Sequence, residues 1–143
     1  MLIKQVSVFI ENKPGRLLAI TKVLTDNGIN IVSISLSDTS EYGLLRLIVS
    51  DPEGARLVLM ENGFSAMLTD VLAVRLPNGI GKLQEMLQVI TEKEQSIEYM
   101  YILATGGGND SMILKSSDPV HAAKALKEGG FELYSPEEAY HIA

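Results

Sequence analysis

Residues recur along this chain at a fixed interval, and that recurrence limits what the chain can fold into. Val8 and Val74, Asn12 and Asn78, Gly15 and Gly81, Leu17 and Leu83, and Ile31 and Ile97 all stand 66 positions apart. Further on the offset becomes 67: Ser50-Asp51-Pro52 reappears as Ser117-Asp118-Pro119, Ala55 as Ala122, and Gly63-Phe64 as Gly130-Phe131. The one-residue change falls in a loop, where insertions cost little. Only Thr69 and Asp70 separate the last apolar run of one copy from the first of the next. With no flexible linker between them, the copies are expected to pack rigidly as two domains, residues 1–69 and 70–143.

Within the first copy the hydrophobic period alternates between that of a strand and that of a helix. Leu2 to Ile10 reads as a strand with Val6, Val8 and Ile10 on one face and Gln5 and Ser7 on the other. Leu17, Ile20, Thr21 and Leu24 recur at helical spacing, and Asn27-Gly28 stops the helix. Val32, Ile34 and Leu36, then Leu45, Leu47 and Val49, mark two strands joined through the polar run Asp38-Thr39-Ser40-Glu41. Asp51-Pro52 opens a second helix carrying Ala55, Val58 and Leu59. Phe64 to Leu68 closes the copy as a strand.

The second copy repeats the order. It has strands at Val71 to Leu76, Ile97 to Ala104, Ser111 to Lys115 and Phe131 to Tyr134, with helical stripes at Leu83, Met86, Leu87 and Ile90 and at Ala122, Ala123 and Leu126. Strand, helix, strand, strand, helix, strand is the split βαβ pattern of ferredoxin-like sandwiches. The expected fold class is α+β: two ferredoxin-like βαββαβ modules side by side, antiparallel sheets with helices on one face, joined into a continuous eight-stranded sheet.

Composition excludes several functions. A net charge of −6 opposes the phosphate-neutralising surface that nucleic-acid binding requires. The absence of cysteine removes disulfides, thiolate metal sites, the Cys-x-x-Cys loop of metallochaperones and cysteine nucleophiles. No segment approaches the roughly 20 apolar residues that span a bilayer, and Met1-Leu2-Ile3-Lys4-Gln5 does not read as a leader. A soluble, cytoplasmic protein is the expectation.

Chemistry concentrates in the turn between the first strand and the first helix. Asn12-Lys13-Pro14-Gly15 leaves free backbone N–H groups at a helix start, with a glycine where a ligand can approach the main chain. Donors for a carboxylate and an asparagine able to donate or accept are what a small amino acid needs. The competing reading is that Asn12 caps the helix while Pro14-Gly15 makes the turn.

Asn12-Lys13-Pro14-Gly15-Arg16-Leu17 followed by Asn27-Gly28-Ile29-Asn30-Ile31 resembles the ACT domains, small amino-acid-sensing modules of the βαββαβ type. In particular it resembles the serine-binding regulatory domain of phosphoglycerate dehydrogenase. The resemblance covers essentially the whole chain, twice. It implies a regulatory protein without catalytic activity or cofactor, which binds an amino acid between the strand-to-helix loop of one module and the second strand of another. The ligand-binding positions it implies are Asn12, Lys13, Pro14, Gly15, Asn30 and Ile31 in the first copy, and Asn78, Gly79, Gly81, Ser96 and Ile97 in the second.

Two positions depart from the first copy's pattern: the proline position is Ile80 and the second-strand asparagine is Ser96. A third departs from the serine-binding relative, whose histidine two residues ahead of the loop asparagine is Ile10 here. The resemblance further implies a homodimer, or an intrachain pairing of the modules, and a metabolic enzyme or regulatory partner that reads the occupied state.

The remaining signals read as structure. Gly106-Gly107-Gly108-Asn109-Asp110 lacks the GxGxxG register and is taken as a turn between strands. His121 and His141 have no metal-ligand company in the sequence and are taken as surface residues. Glu137-Glu138, after Pro136, suits the first turn of a short terminal helix. Tyr99 and Tyr101 share one face of a strand, where an ordinary half-buried aromatic is the simpler reading.

Overall fold

The computed structural model describes residues 1–38, 42–105 and 111–142. The Asp38–Glu41 turn expected between two strands, Asp38 apart, and the glycine turn at 106–110 lie outside the described residues. The chain divides into two compact units, one formed by Lys4–Thr69 and the other by Met1–Ile3 with the chain from Asp70 onward.

The first unit contains β1 (Ile3–Glu11), α1 (Arg16–Asp26), β2 (Ile31–Asp38), β3 (Tyr42–Val49), α2 (Pro52–Glu61) and the first part of β4 (Ser65–Arg75). Its strand order is β2-β3-β1-β4. Val6 pairs with Leu47 and Val8 with Leu45, which puts all four on one face. There they form a core with Ile20 and Leu24 of α1 and Ala55 and Leu59 of α2. One amphipathic sheet face is thus covered by two helices.

The opposite face of β1 is also buried at Gln5 and Ser7. Gln5 Nε2 donates to Ser7 Oγ (2.9 Å), whose hydroxyl lies 3.0 Å from that of Thr69. The expected apolar face of β2 is only partly covered. Ile34 and Leu36 pair with Leu47 and Leu45 on the core side, yet they are 47% and 50% exposed because β2 is the edge strand.

The second unit contains the rest of β4, α3 (Lys82–Glu92), β5 (Ile97–Leu103), β6 (Ser111–Ser116), α4 (Pro119–Glu128) and α5 (Pro136–Tyr140). The strand order is β4-β6-β5. Leu72, Val74, Met112 and Leu114 of the sheet meet Met86 and Ile90 of α3 and Ala122 and Leu126 of α4. Asp51 and Asp118 cap α2 and α4 as the Asp-Pro pairs predict, accepting from the Gly54 and His121 N–H groups, with proline in the first turn. Nδ1 of His121 also lies 2.7 Å from the Asp118 carboxylate.

The described residues form six strands, and the expected continuous sheet of eight is corrected on two counts. Thr69 and Asp70 are not a break but the middle of one eleven-residue strand, β4. Phe131 to Tyr134 does not extend into a strand. It makes one isolated antiparallel bridge, Val74 with Leu133, flanked by bonds from Arg75 N to Glu132 O and from Tyr134 N to Ala73 O. Ser135-Pro136 then turns the chain into α5; proline offers no N–H to a ladder but fits the first helical turn.

α5 carries a full capping box, Ser135 accepting from the Glu138 N–H and Glu138 accepting from the Ser135 N–H. The hydrogen bond from the Ser135 N–H, then one from the Ser135 side chain, ahead of the charge of Arg75, hold the Glu138 carboxyl below the ordinary glutamate value of 4.5. A carboxyl whose folded value is depressed stabilises the fold above its unfolded pKa, and loses that contribution as pH falls through the folded value. Glu138→Ala is therefore expected to lower the melting temperature at neutral pH, with the gap to the parent protein narrowing as acid protonates Glu138. Circular dichroism melts across the acid range measure this, and a pH-independent gap would dismiss the carboxylate's role.

Candidate functional site

The two strand-to-helix turns are built alike. α1 is entered through Gly15 at φ 86° and α3 through Gly81 at φ 84°, both left-handed, and neither helix start receives a side-chain cap. Asn12 therefore does not cap α1, whereas Gly15 does make the turn, as the competing reading also expects. In the first turn the Lys13 N–H donates to Glu11 O (2.8 Å) and the Arg16 N–H to Lys13 O (3.3 Å). In the second the Lys82 N–H donates to Gly79 O (3.4 Å). Asn12, Lys13, Pro14 and Gly15 are exposed, as are Asn78, Gly79 and Gly81. Ile80, in Pro14's place, stands fully in solvent.

Electrostatics at the first turn are local. Lys13 Nζ lies 2.9 Å and Arg16 Nη2 3.9 Å from the Glu11 carboxylate. The hydrogen bond from Lys13, then the charges of Lys13 and Arg16, hold that carboxyl below the usual carboxylate range.

The second-strand positions are also built alike. The Asn30 N–H donates to Ser50 Oγ and the Ser50 N–H to Asn30 O, both at 2.9 Å, so the backbone of Asn30 is clamped and its exposed side chain is not part of the clamp. In the second unit Ser96 Oγ donates to Ser117 Oγ (3.3 Å) and the Ser117 N–H to Ser96 O (3.4 Å). Ile31 and Ile97 follow as the first residues of β2 and β5, each packed against its unit's core.

Within one unit, loop and strand start are not brought together. Glu11 at the loop pairs with Tyr42, whereas Ile31 pairs with Val49 at the other end of β3. That separates them by about 24 Å along the sheet at the rise of an antiparallel strand. The second unit has the same arrangement, Arg75 pairing with Ser111 and Ile97 with Ser116.

Concave surface lies beside the loops, at places that sequence reasoning missed. The first unit has a groove of about 220 Å³ between Phe9, Glu11, Arg16, Tyr42 and Phe64. The second has one of about 540 Å³ between Arg75, Lys82, Glu85, Val89, Phe131 and Glu132. These are repeat-related: Arg75 stands in the place of Phe9, Lys82 of Arg16, Phe131 of Phe64 and Glu132 of Ser65. The available signal was the arrival of opposite charges at two aligned positions. Neither groove is lined by the loop asparagines. Among the described residues no group of three or more His, Cys, Asp or Glu side chains is gathered so as to hold a metal ion. No described helix is long and apolar enough to cross a membrane.

Comparison with known proteins agrees with this architecture. Residues 1–127 match the family model of an ACT domain pair. The crystal structure of protein BT0572 from Bacteroides thetaiotaomicron is 34% identical over 99% of this chain and 98% of that one, with a TM-score of 0.94. The ligand-free regulatory subunit of aspartate kinase from Thermus thermophilus is similar in fold, with 19% identity over 90% of this chain and 93% of that one and a TM-score of 0.62. The regulatory subunit of aspartate kinase from Thermus flavus gives 20% identity over 89% of this chain and 92% of that one, with a TM-score of 0.57. No curated protein sequence matches the chain.

The left-handed helix entries generate a stability prediction. A Cβ built on Gly15 or Gly81 meets nothing within 4 Å, so alanine there brings backbone strain without a clash. Gly15→Ala and Gly81→Ala are each expected to destabilise by about 1–2 kcal/mol. Urea unfolding with an unchanged m-value checks this; a neutral result would mean the turn relaxes out of the left-handed region.

Proposed function

The chain belongs to the ACT domain family as a pair of ACT domains, and from that premise we propose that it is an amino-acid-binding regulatory protein rather than an enzyme. The modules of this proposal are residues 1–69 and 70–143. The observation that carries it is the helix start entered through a left-handed glycine and left uncapped, with Asn12 exposed beside it. Backbone N–H groups at such a start donate to a carboxylate, and Asn12 supplies an acceptor for the ammonium.

In this reading Asn12, Lys13, Pro14 and Gly15 form the loop side of one site, and Asn30 and Ile31 the strand side of another. Asn78, Gly79 and Gly81, with Ser96 and Ile97, are the corresponding groups of the second module. The separation of loop and strand start within a unit supports a ligand shared by two modules, paired within the chain or in a homodimer. Occupancy would then alter how the modules present themselves to a metabolic enzyme or other regulatory partner.

One observation favours a second reading, a subunit that docks on an enzyme without a ligand. Edge strand β2 exposes Ile34 and Leu36, and such an edge is a template for sheet addition. The two readings separate in a thermal-shift screen of the twenty amino acids. A ligand at a hundred times its dissociation constant is expected to add about 2.7 kcal/mol of stability, and Asn12→Ala to weaken that response. Silence from every amino acid at millimolar concentration, with folded protein, would leave only the docking reading.

A further inference from the structure

The larger groove differs from its repeat-related counterpart in the chemistry it presents. Arg75 emerges from β4 with its guanidinium 4.4 Å above the centre of the Tyr134 ring. Tyr134 is itself fixed, buried with its hydroxyl 2.9 Å from Ser111 Oγ and its N–H bonded to Ala73 O. The guanidinium plane is thereby oriented before any ligand arrives.

Its carboxylate partners are Glu132, 3.2 Å from Nε, and Glu138, 3.6 Å from Nη2. The Glu132 side chain is 77% exposed, and an ion pair so open to water exchanges readily. Glu132 thus holds the place beside Nε that a free carboxylate would take.

α3 supplies the other wall. Glu85 and Glu92 lie two turns apart on one helix face. Lys82 Nζ lies 3.4 Å from the Glu85 carboxylate, and Gln88 Nε2 donates to Glu92 (3.1 Å). Half-buried Val89 and Phe131 add apolar surface. Gly129 lets the following turn approach α3 closely, since a Cβ there would stand 2.9 Å from both Val89 methyls. A volume of about 540 Å³ is within the usual range for a small-molecule site. The first unit has Phe9 and Ser65 where Arg75 and Glu132 stand, and less than half the volume.

We propose that this groove is a separate binding site, contained within the second unit, for a free α-amino acid with an apolar side chain. The ligand carboxylate displaces Glu132 from Arg75, its ammonium is taken by Glu85 or Glu92, and its side chain rests on Val89 and Phe131. This site lies beyond the loop sites proposed above.

The test is a titration of ¹⁵N-labelled full-length protein with L-leucine, read from amide shifts. Leucinamide, lacking the carboxylate, and 4-methylpentanoate, lacking the ammonium, serve as controls. Leucine is expected to shift the amides of Val89, Phe131 and Glu132, with each control binding about tenfold more weakly or worse. Arg75→Gln is expected to weaken leucine by about tenfold, and Glu132→Gln, which removes the competing carboxylate beside Nε while Glu138 stays in place, to strengthen it several-fold.

Because Arg75 also anchors the C-terminal segment, the double variant Glu85→Gln/Glu92→Gln provides an independent loss of affinity. No shift at these amides with leucine at millimolar concentration overturns the proposal. So does equal binding of the controls, or unchanged affinity in the double variant. Asn12→Ala separates the two sites: shifts at residues 12–15 that vanish in it report the loop, while the groove response persists. A loop response without a groove response overturns this proposal alone, and the converse overturns the loop reading alone.

Discussion

The arrangement depends on how a strand is turned into a helix at Gly15 and again at Gly81. A left-handed residue at the N-cap position reverses the chain tightly enough for the helix to fall back on its own sheet. It also gives up the side-chain cap that serine, threonine, aspartate or asparagine would provide, worth about 1 kcal/mol. The chain shows that it can build such caps, because α2, α4 and α5 have them from Asp51, Asp118 and Ser135. Only α1 and α3 lack them among the described helices. Uncapped N–H groups are thus confined to the two places where the functional reading puts a carboxylate.

The repeat preserves architecture and lets chemistry diverge. Core positions keep their character: Val6, Val8, Leu45 and Leu47 in the first unit correspond in role to Leu72, Val74, Met112 and Leu114 in the second. Away from the cores the copies differ. Ser33 and Ser35 on the face of β2 opposite Ile34 become Tyr99 and Tyr101 on β5. Gly28, with φ 70°, becomes Glu94, a non-glycine residue that still takes φ 57°. The fold thus imposes the left-handed conformation at this place even where the residue is not glycine. Divergence of this kind is how one of two equivalent grooves acquires Arg75 and Glu132 while the other keeps Phe9 and Ser65.

Much of the fold was legible because it rests on periodicity and punctuation. The alternation of Val6, Val8 and Ile10, the helical spacing of Leu17, Ile20 and Leu24, and the Asp-Pro openings each carry a local physical cause. The two misread strands lacked one. Polar Thr69-Asp70 resembles a turn, yet the Thr69 hydroxyl lies beside that of Ser7, a partner 62 residues away, and the strand continues through. Phe131 to Tyr134 has strand composition, but its extension is decided by Ser135-Pro136 just beyond it. The grooves were illegible for a related reason. Arg75, Val89 and Glu132 come from β4, α3 and the segment after α4, and nothing in their spacing announces that the Gly129 turn closes on α3.

Register also decides what one module can do alone. The loop bearing Asn12 sits where β1 ends against Tyr42, and the clamp of Asn30 to Ser50 sits where β2 begins against Val49. No side-chain rotation spans the length of β3, so a pocket combining a loop with a second-strand start draws them from different modules. The edge strands are suited to meet such a need. β2 and β5 leave Ile34, Leu36 and Ile102 exposed on the side that faces the helices, apolar area that another module's edge would cover while completing the main-chain ladder. A ligand held at that seam would be coupled to module pairing by linkage, because whatever binds only the paired state stabilises it. In the proposed pair, the edge that is a liability in an isolated module would be the element through which occupancy is felt.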